Sequence, residues 1–111
     1  MVDFQTVVGS VSDLILKEDQ IVDFTAYGGF HYPIDMSTVL TQMDITVADS
    51  TNYNERVIIA HKGGVCDENA TIQVTYNAEG EGSTVSPITT TYGYIELAWV
   101  ATGFRYVGEY T

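Results

Sequence analysis

The sequence predicts an all-β protein, either an antiparallel β-sandwich or a jelly-roll-like barrel of about seven to eight short strands. Val, Ile, Thr and the aromatic residues far outnumber Leu and Ala, and these side chains favour a pleated, half-buried surface. Apolar and polar residues alternate in several segments, whereas a helical period is hard to find. Stretches of glycine and small polar residues separate these segments, as turns between short strands require.

The length of the chain allows one hydrophobic core. A protein of 111 residues has the size of one domain, so residues 1–111 are predicted to form a single β domain. No apolar run approaches the roughly 20 residues that span a membrane. The N-terminus also lacks the basic and apolar regions of a signal peptide. We therefore expect a protein that does not contact a membrane.

The N-terminal part contains three runs of strand-like composition, at residues 2–8, 11–16 and 20–27. Short polar stretches separate the runs, and the second run could also form one helical turn. The Gly28-Gly29 pair that follows is typical of a loop.

The middle of the chain predicts three further strands. Residues 43–48 and 71–76 alternate cleanly between apolar and polar side chains, which indicates one buried and one exposed face. Residues 56–61 are apolar on both faces, as in a central strand. Loops are predicted at 62–69 and 77–83, where glycines and small polar residues cluster.

The last two predicted strands, residues 94–100 and 104–110, form a C-terminal hairpin. They flank a short turn with Gly103 at its tightest point. From the phase of the alternation, the predicted core consists of Ile45, Val47, Val57, Ile59, Ile72, Val74, Ile95, Leu97 and Trp99.

The charge balance excludes several classes of partner. With 4 Lys and Arg against 15 Asp and Glu, the formal net charge is −11. Such a chain repels phosphate backbones and anionic lipids, and its few dispersed cations form no basic stripe. We therefore predict no nucleic-acid binding. The charge is expected to keep copies of the protein apart until a specific contact forms.

No catalytic or metal-binding set is recognisable in the sequence. His31 and His61 lack the spacing of a metal site, so each is interpreted as a structural residue. Cys66 stands beside Asp67 and Glu68, which should raise the pKa of its thiol and weaken it as a nucleophile. The loop acids also lack the pattern of a calcium-binding loop. The prediction is a protein without enzymatic activity, cofactor or metal.

An aromatic segment at residues 27–33 is the stretch most suggestive of binding. Its glycine pair predicts a flexible turn that carries Tyr27, Phe30, His31 and Tyr32. Rings on a loop supply a large contact area at low entropic cost, as sugar-binding and protein-binding surfaces require. The alternative interpretation is that Phe30 and Tyr32 plug the end of the core or a subunit interface.

Five segments follow one another along the chain, at residues 45–49, 56–64, 70–74, 94–99 and 102–108. Their order resembles that of the small β modules that tailed bacteriophages place on fibres, needles and capsid surfaces. The resemblance spans residues 45–110, which is more than half of the chain. These modules end in an aliphatic strand, a turn near Gly, and an aromatic-x-aromatic-Val/Ile-Gly motif. Here Phe104 stands where Trp is frequent, and no Asn precedes Gly103.

This resemblance implies a homotrimer without catalytic residues. The expected interface residues are Phe104, Tyr106 and Tyr110 on the last strand, together with the loop at residues 30–33. Fibres and needles carry a stalk of repeats, and no such repeat is recognisable in this sequence. The favoured function is therefore a capsid decoration or cement protein on the virion surface, whose partner is the major capsid protein.

Two alternative functions are carried forward. The domain could be the receptor-binding tip of a tail fibre, tail needle or head fibre, whose aromatic loop contacts a receptor on the host surface. It could instead be a carbohydrate-binding module that uses Tyr27, Phe30, Tyr32 and Tyr53.

Overall fold

A computed structural model describes residues 22–37 and 42–111 of the chain. These residues form eight β-strands with no helix among them, so the predicted all-β class is confirmed. Within the same residues there is accordingly no helix of the length and apolarity that a membrane crossing needs. The strands are β1 Val22–Ala26, β2 His31–Asp35, β3 Gln42–Val47, β4 Arg56–Gly63, β5 Thr71–Ala78, β6 Gly82–Ile88, β7 Tyr94–Trp99 and β8 Phe104–Tyr110.

Most of the predicted strands are confirmed closely. The strands β3, β4, β5, β7 and β8 each begin and end within two residues of the predicted bounds. Strand β1 lies inside the predicted run at residues 20–27. The predicted runs at 2–8 and 11–16 lie outside the described residues.

The strands form one sheet that is nearly closed on itself, like a barrel. Hydrogen-bonded neighbours follow the path β1-β3-β5-β8-β7-β4-β2, and β6 pairs with β5 off this path. One half of the sheet therefore contains β1, β3, β5 and β6, and the other contains β2, β4, β7 and β8. In the described chain, β5 and β8 join the halves by strand pairing at Ala78 and Phe104 alone. At the far ends of the path, the ring of Phe24 packs edge-on against Tyr32, with centroids 5.5 Å apart.

The sheet is mixed, whereas the sequence predicts antiparallel pairing throughout. The pairs β1 with β3, β3 with β5 and β2 with β4 are parallel. Up to β5, each connection carries the chain from one half of the sheet to the other, so successive strands of one half run in the same direction. Short turns occur later and enforce antiparallel pairing of β5 with β6 and of β7 with β8. The predicted C-terminal hairpin is thus confirmed.

The core lies between the two halves and follows the predicted alternation. Strands β2, β3 and β4 bury every second residue over most of their length, as strands with one face in a core do. Every residue that the sequence assigns to the core is buried, and the most accessible of them, Trp99, is 8% exposed. The edge-on contact of Trp99 with Phe104, at a centroid distance of 5.0 Å, closes the core beside the C-terminal hairpin.

Residues 31–35 form an edge strand, whereas the sequence predicts a flexible aromatic turn over this segment. Strand β2 pairs in parallel with β4 and places Tyr32 beside Ile59. Tyr32 is 3% exposed, and its hydroxyl accepts a hydrogen bond from the backbone N–H of Tyr27 at 2.9 Å. Pro33 suggests a loop in the sequence, but an edge strand tolerates proline because one side of its backbone needs no partner.

Strand β6 has no counterpart in the sequence prediction. Small polar residues and Pro87 lower its strand propensity, and Ile88 is its one fully buried residue. Within the described part of the chain it pairs only with β5. Like β2, it is an edge strand that contains a proline.

The turn between β7 and β8 uses its glycine differently from the prediction. The residue with a left-handed backbone is Ala101, at φ 77°. A Cβ atom on Gly103 would lie 2.6 Å from the backbone nitrogen of Glu79, which is closer than real atoms approach. Gly103 is therefore required because the turn packs directly against the end of β5.

Truncation of Trp99 to alanine should destabilise the domain by about 3 to 5 kcal/mol, because it removes a large buried ring and leaves a cavity beside Phe104. Urea unfolding followed by circular dichroism measures this free energy. Tyr53→Ala, at a position that is 75% exposed, is the matched control and should leave the unfolding free energy nearly unchanged. Equal effects of the two substitutions would contradict the assignment of Trp99 to the core.

Candidate functional site

His61 is a buried structural residue. Its Nδ1 accepts a hydrogen bond from the backbone N–H of Tyr92 at 2.8 Å, which leaves the proton on Nε2. That Nε2–H donates to the carbonyl of Gly64 at 3.0 Å. Both ring nitrogens are therefore committed to holding two loops, and the structural interpretation of this histidine is confirmed.

Cys66 lies in the core and is 4% exposed. Its thiol donates a weak hydrogen bond to the carbonyl of Ile88, at an Sγ to oxygen distance of 3.4 Å. Burial raises the pKa of the Cys66 thiol, and the nearby charge of Asp67 raises it further. The predicted direction is confirmed, although burial rather than the neighbouring carboxylates is the main cause. A neutral, buried thiol is a poor nucleophile.

The aromatic residues of the predicted loop differ in burial. Tyr32 is in the core, and Phe30 packs against it, so the alternative interpretation of a core plug is confirmed for this pair. His31 is partly buried on β2, whereas Tyr27 is 57% exposed. Tyr53, the further ring of the predicted carbohydrate surface, projects into solvent from a separate loop. Of the four rings predicted to bind a sugar, Tyr27 and Tyr53 are therefore the exposed ones.

The C-terminal interface residues are divided between core and surface. Phe104 is 2% exposed and packs against Trp99, so its prediction as a contact residue is wrong: it faces inward at the start of β8. Tyr106 and Tyr110 lie on the same strand and are accessible. These two remain as candidate contact residues.

Tyr94 and Tyr110 form an exposed aromatic pair on the outer face of the hairpin. They are register partners on β7 and β8, so their Cβ atoms lie within contact range. A Cβ atom on Gly108 would lie 3.5 Å from the ring of Tyr94, so this ring covers the glycine backbone. We call these two exposed tyrosines the tyrosine patch. Exposed rings on a rigid strand pair are suited to a protein interface.

A groove of about 320 Å³ lies on the other side of β8, between this strand and the β5–β6 hairpin. It opens where β8 leaves β5, beyond the single pairing of Ala78 with Phe104. Four hydroxyl-bearing residues line it, namely Tyr76, Thr84, Ser86 and Tyr106. We call this cavity the hydroxyl groove.

Three hydroxyl groups lie near one another in the hydroxyl groove, those of Tyr76, Ser86 and Tyr106. The Tyr76 hydroxyl and Ser86 Oγ lie within hydrogen-bond distance, 3.2 Å apart, and the Tyr106 hydroxyl lies near both of these groups. The rings of Tyr76 and Tyr106 meet edge-on at a centroid distance of 5.9 Å. Burial is the main cause that raises the pKa of Tyr106 to about 12.

The rim of the hydroxyl groove carries three charged side chains. Arg105 donates from Nη2 to both carboxylate oxygens of Glu79, at 3.0 and 2.9 Å. Glu81 lies in the turn between β5 and β6 and has no side-chain hydrogen bond or ion pair within residues 22–37 and 42–111. The rim thus presents one satisfied ion pair and one carboxylate that is available to a ligand.

The sequence singles out two residues that line the hydroxyl groove, Phe104 and Tyr106. The groove needs β6, which the sequence does not predict, and residues 77–83, which it assigns to a loop. In β6, the polar residues Thr84 and Ser86 alternate with Val85 and Pro87. This alternation is the one local signal that a polar face of β6 points toward the groove. No sequence pattern places that face opposite β8.

Comparison of the chain with protein families and with curated proteins finds no match.

The stability of the protein should fall as the pH rises from about 10 to about 12, through the ionisation of Tyr106. Because the pKa of Tyr106 is raised in the folded state, the fold favours the neutral phenol. The resulting contribution to the unfolding free energy is fully present below the ordinary tyrosine pKa. It is lost as the pH rises through the folded-state pKa of about 12. Urea unfolding at several pH values, in the wild type and in Tyr106→Phe, isolates this residue. The difference in unfolding free energy between the two proteins should be constant below pH 10 and should change above it. An unchanged difference up to pH 12 would contradict the raised pKa.

Proposed function

We propose that this domain is a structural protein of a tailed-bacteriophage virion that decorates the capsid surface and braces neighbouring capsid subunits. It acts as a homotrimer, and its partner is the major capsid protein. The tyrosine patch is the observation that carries the proposal. Support also comes from the resemblance of residues 45–110 to phage surface modules.

The tyrosine patch has the composition of an interface core. Tyr94 and Tyr110 are 36% and 56% exposed, although both are held on the β7–β8 strand pair, where β7 buries Ile95 and Leu97 on its opposite face. Tyrosine loses little conformational entropy on binding, and it is enriched at the energetic centres of interfaces. A copy of the domain that covers this patch therefore gains apolar burial at low ordering cost.

Trimerisation makes weak capsid contacts effective. Three copies that engage neighbouring capsid subunits at once gain from effective concentration, so the assembly can hold a shell without any individually tight site. The net charge of −11 suits docking on a basic region of the shell and disfavours unspecific association between free trimers.

The free protein should sediment as a trimer at micromolar concentration. The double substitution Tyr94→Ser with Tyr110→Ser should shift it to monomer, because it removes both exposed rings of the patch. Analytical ultracentrifugation measures the mass, and the fluorescence of the buried Trp99 reports whether the variant is folded. Tyr53→Ser, which removes a more exposed ring elsewhere, should stay trimeric. A wild-type monomer at micromolar concentration would count against the proposal.

Capsids of the encoding phage should bind the protein in many copies, and raising the salt concentration should release it, since screening weakens attraction between the acidic domain and the shell. Co-sedimentation at several salt concentrations measures both effects. The tyrosine-patch double variant should bind less well, because a monomer loses the gain from simultaneous contacts. Binding to host cells without affinity for capsids would instead assign the domain to the receptor-binding tip of a fibre or needle.

A further inference from the structure

We infer that the hydroxyl groove is a binding site for a neutral saccharide, with the Tyr76, Ser86 and Tyr106 hydroxyls and the Glu81 carboxylate as its recognition groups. This function goes beyond capsid bracing and uses residues outside the tyrosine patch. It also differs from the predicted carbohydrate surface of Tyr27, Phe30, Tyr32 and Tyr53, since none of these four residues lines the groove.

The hydroxyl network leaves hydrogen-bonding capacity for a ligand. Each hydroxyl has one donor proton and two acceptor lone pairs. The hydrogen bond between the Tyr76 and Ser86 hydroxyls uses only part of this capacity. Saccharide hydroxyls are both donors and acceptors, so they can complete the network whichever way its protons point.

The groove also offers apolar surface beside these polar groups. Tyr106 is 36% exposed, Tyr76 is 4% exposed, and their edge-on packing holds the two rings in place. Sugar rings carry C–H faces between their hydroxyls, and an aromatic ring with a polar tip matches both features. The strands fix these side chains before binding, which lowers the entropic cost of recognition.

The charged rim selects against acidic ligands. Glu81 can accept charge-assisted hydrogen bonds from sugar hydroxyls. Arg105 is already paired with both oxygens of Glu79, so it offers an anion little uncompensated positive charge. Two carboxylates on the rim, on a chain of net charge −11, repel a phosphate or a uronic acid.

Other occupants fit the groove less well. The described residues contain no group of three or more His, Cys, Asp or Glu that could hold a metal ion. A peptide strand added beside β6 or β8 would meet Pro87, Arg105 and Glu109, the types of residue that oppose pairing at a sheet edge. The volume of about 320 Å³ lies at the small end of the range for small-molecule sites, which suits a terminal sugar.

The test is a titration of the isotope-labelled protein with single sugars, followed by NMR. The probes are the methyl glycosides of glucose, galactose and mannose, together with N-acetylglucosamine. At millimolar concentration at least one of them should cause saturable shifts of resonances from β5, β6 and β8. Glucuronate, the acidic counterpart of glucose, should cause no such shifts, because the carboxylates of the rim repel it. The absence of saturable shifts with all four neutral probes would overturn the proposal.

Two variants locate the binding in the groove. Tyr106→Phe and Glu81→Gln should each weaken binding of the active sugar by about three-fold to ten-fold, the effect of one hydrogen bond. Their matched controls are Tyr53→Phe and Glu68→Gln, which change an exposed ring and an exposed loop acid elsewhere and should leave the affinity unchanged. Loss of binding in the controls, or none in the groove variants, would also overturn the proposal. Capsid binding should be unaffected by the groove variants, so the two functions can fail independently.

Discussion

The structure depends most on the contact between the end of β5 and the start of β8. Ala78 and Phe104 pair there, and the backbone N–H of Glu79 donates to the carbonyl of Phe104 at 3.0 Å. This approach is possible only because residue 103 is glycine. The same contact carries the Phe104 ring inward against Trp99, so backbone pairing between the two halves and closure of the core occur at one point.

The divergence of β8 beyond this contact produces two different surfaces on one strand. Tyr106 is the register partner of Leu97, which is fully buried, so its side chain lies on the inner side and lines the groove. Tyr110 is the partner of Tyr94 and lies on the outer side. A register shift between Glu96 and Leu97 separates the two positions. One strand therefore serves both an outer aromatic patch and an inner polar groove, and a partner can occupy either without covering the other.

The groups that look reactive in the sequence serve the interior. His61 joins two loops through both of its ring nitrogens, and the Cys66 thiol is kept neutral by burial. Buried polar groups need partners, and both of these have one within the fold. The tyrosine patch and the hydroxyl groove instead present hydroxyls, aromatic rings and carboxylates.

The sequence alone determined the all-β class, six of the eight described strands and the buried faces of β3, β4, β5 and β7, because an alternation of period two states directly which face of a strand is buried. It did not reveal β2 and β6, whose prolines resemble turn residues until the strands are seen at sheet edges. It also could not show that β1, β3 and β5 are parallel neighbours. Periodicity defines the face of a strand but not its neighbour. The tyrosine patch and the hydroxyl groove arise from neighbours far apart in sequence, so only the tertiary structure decided them.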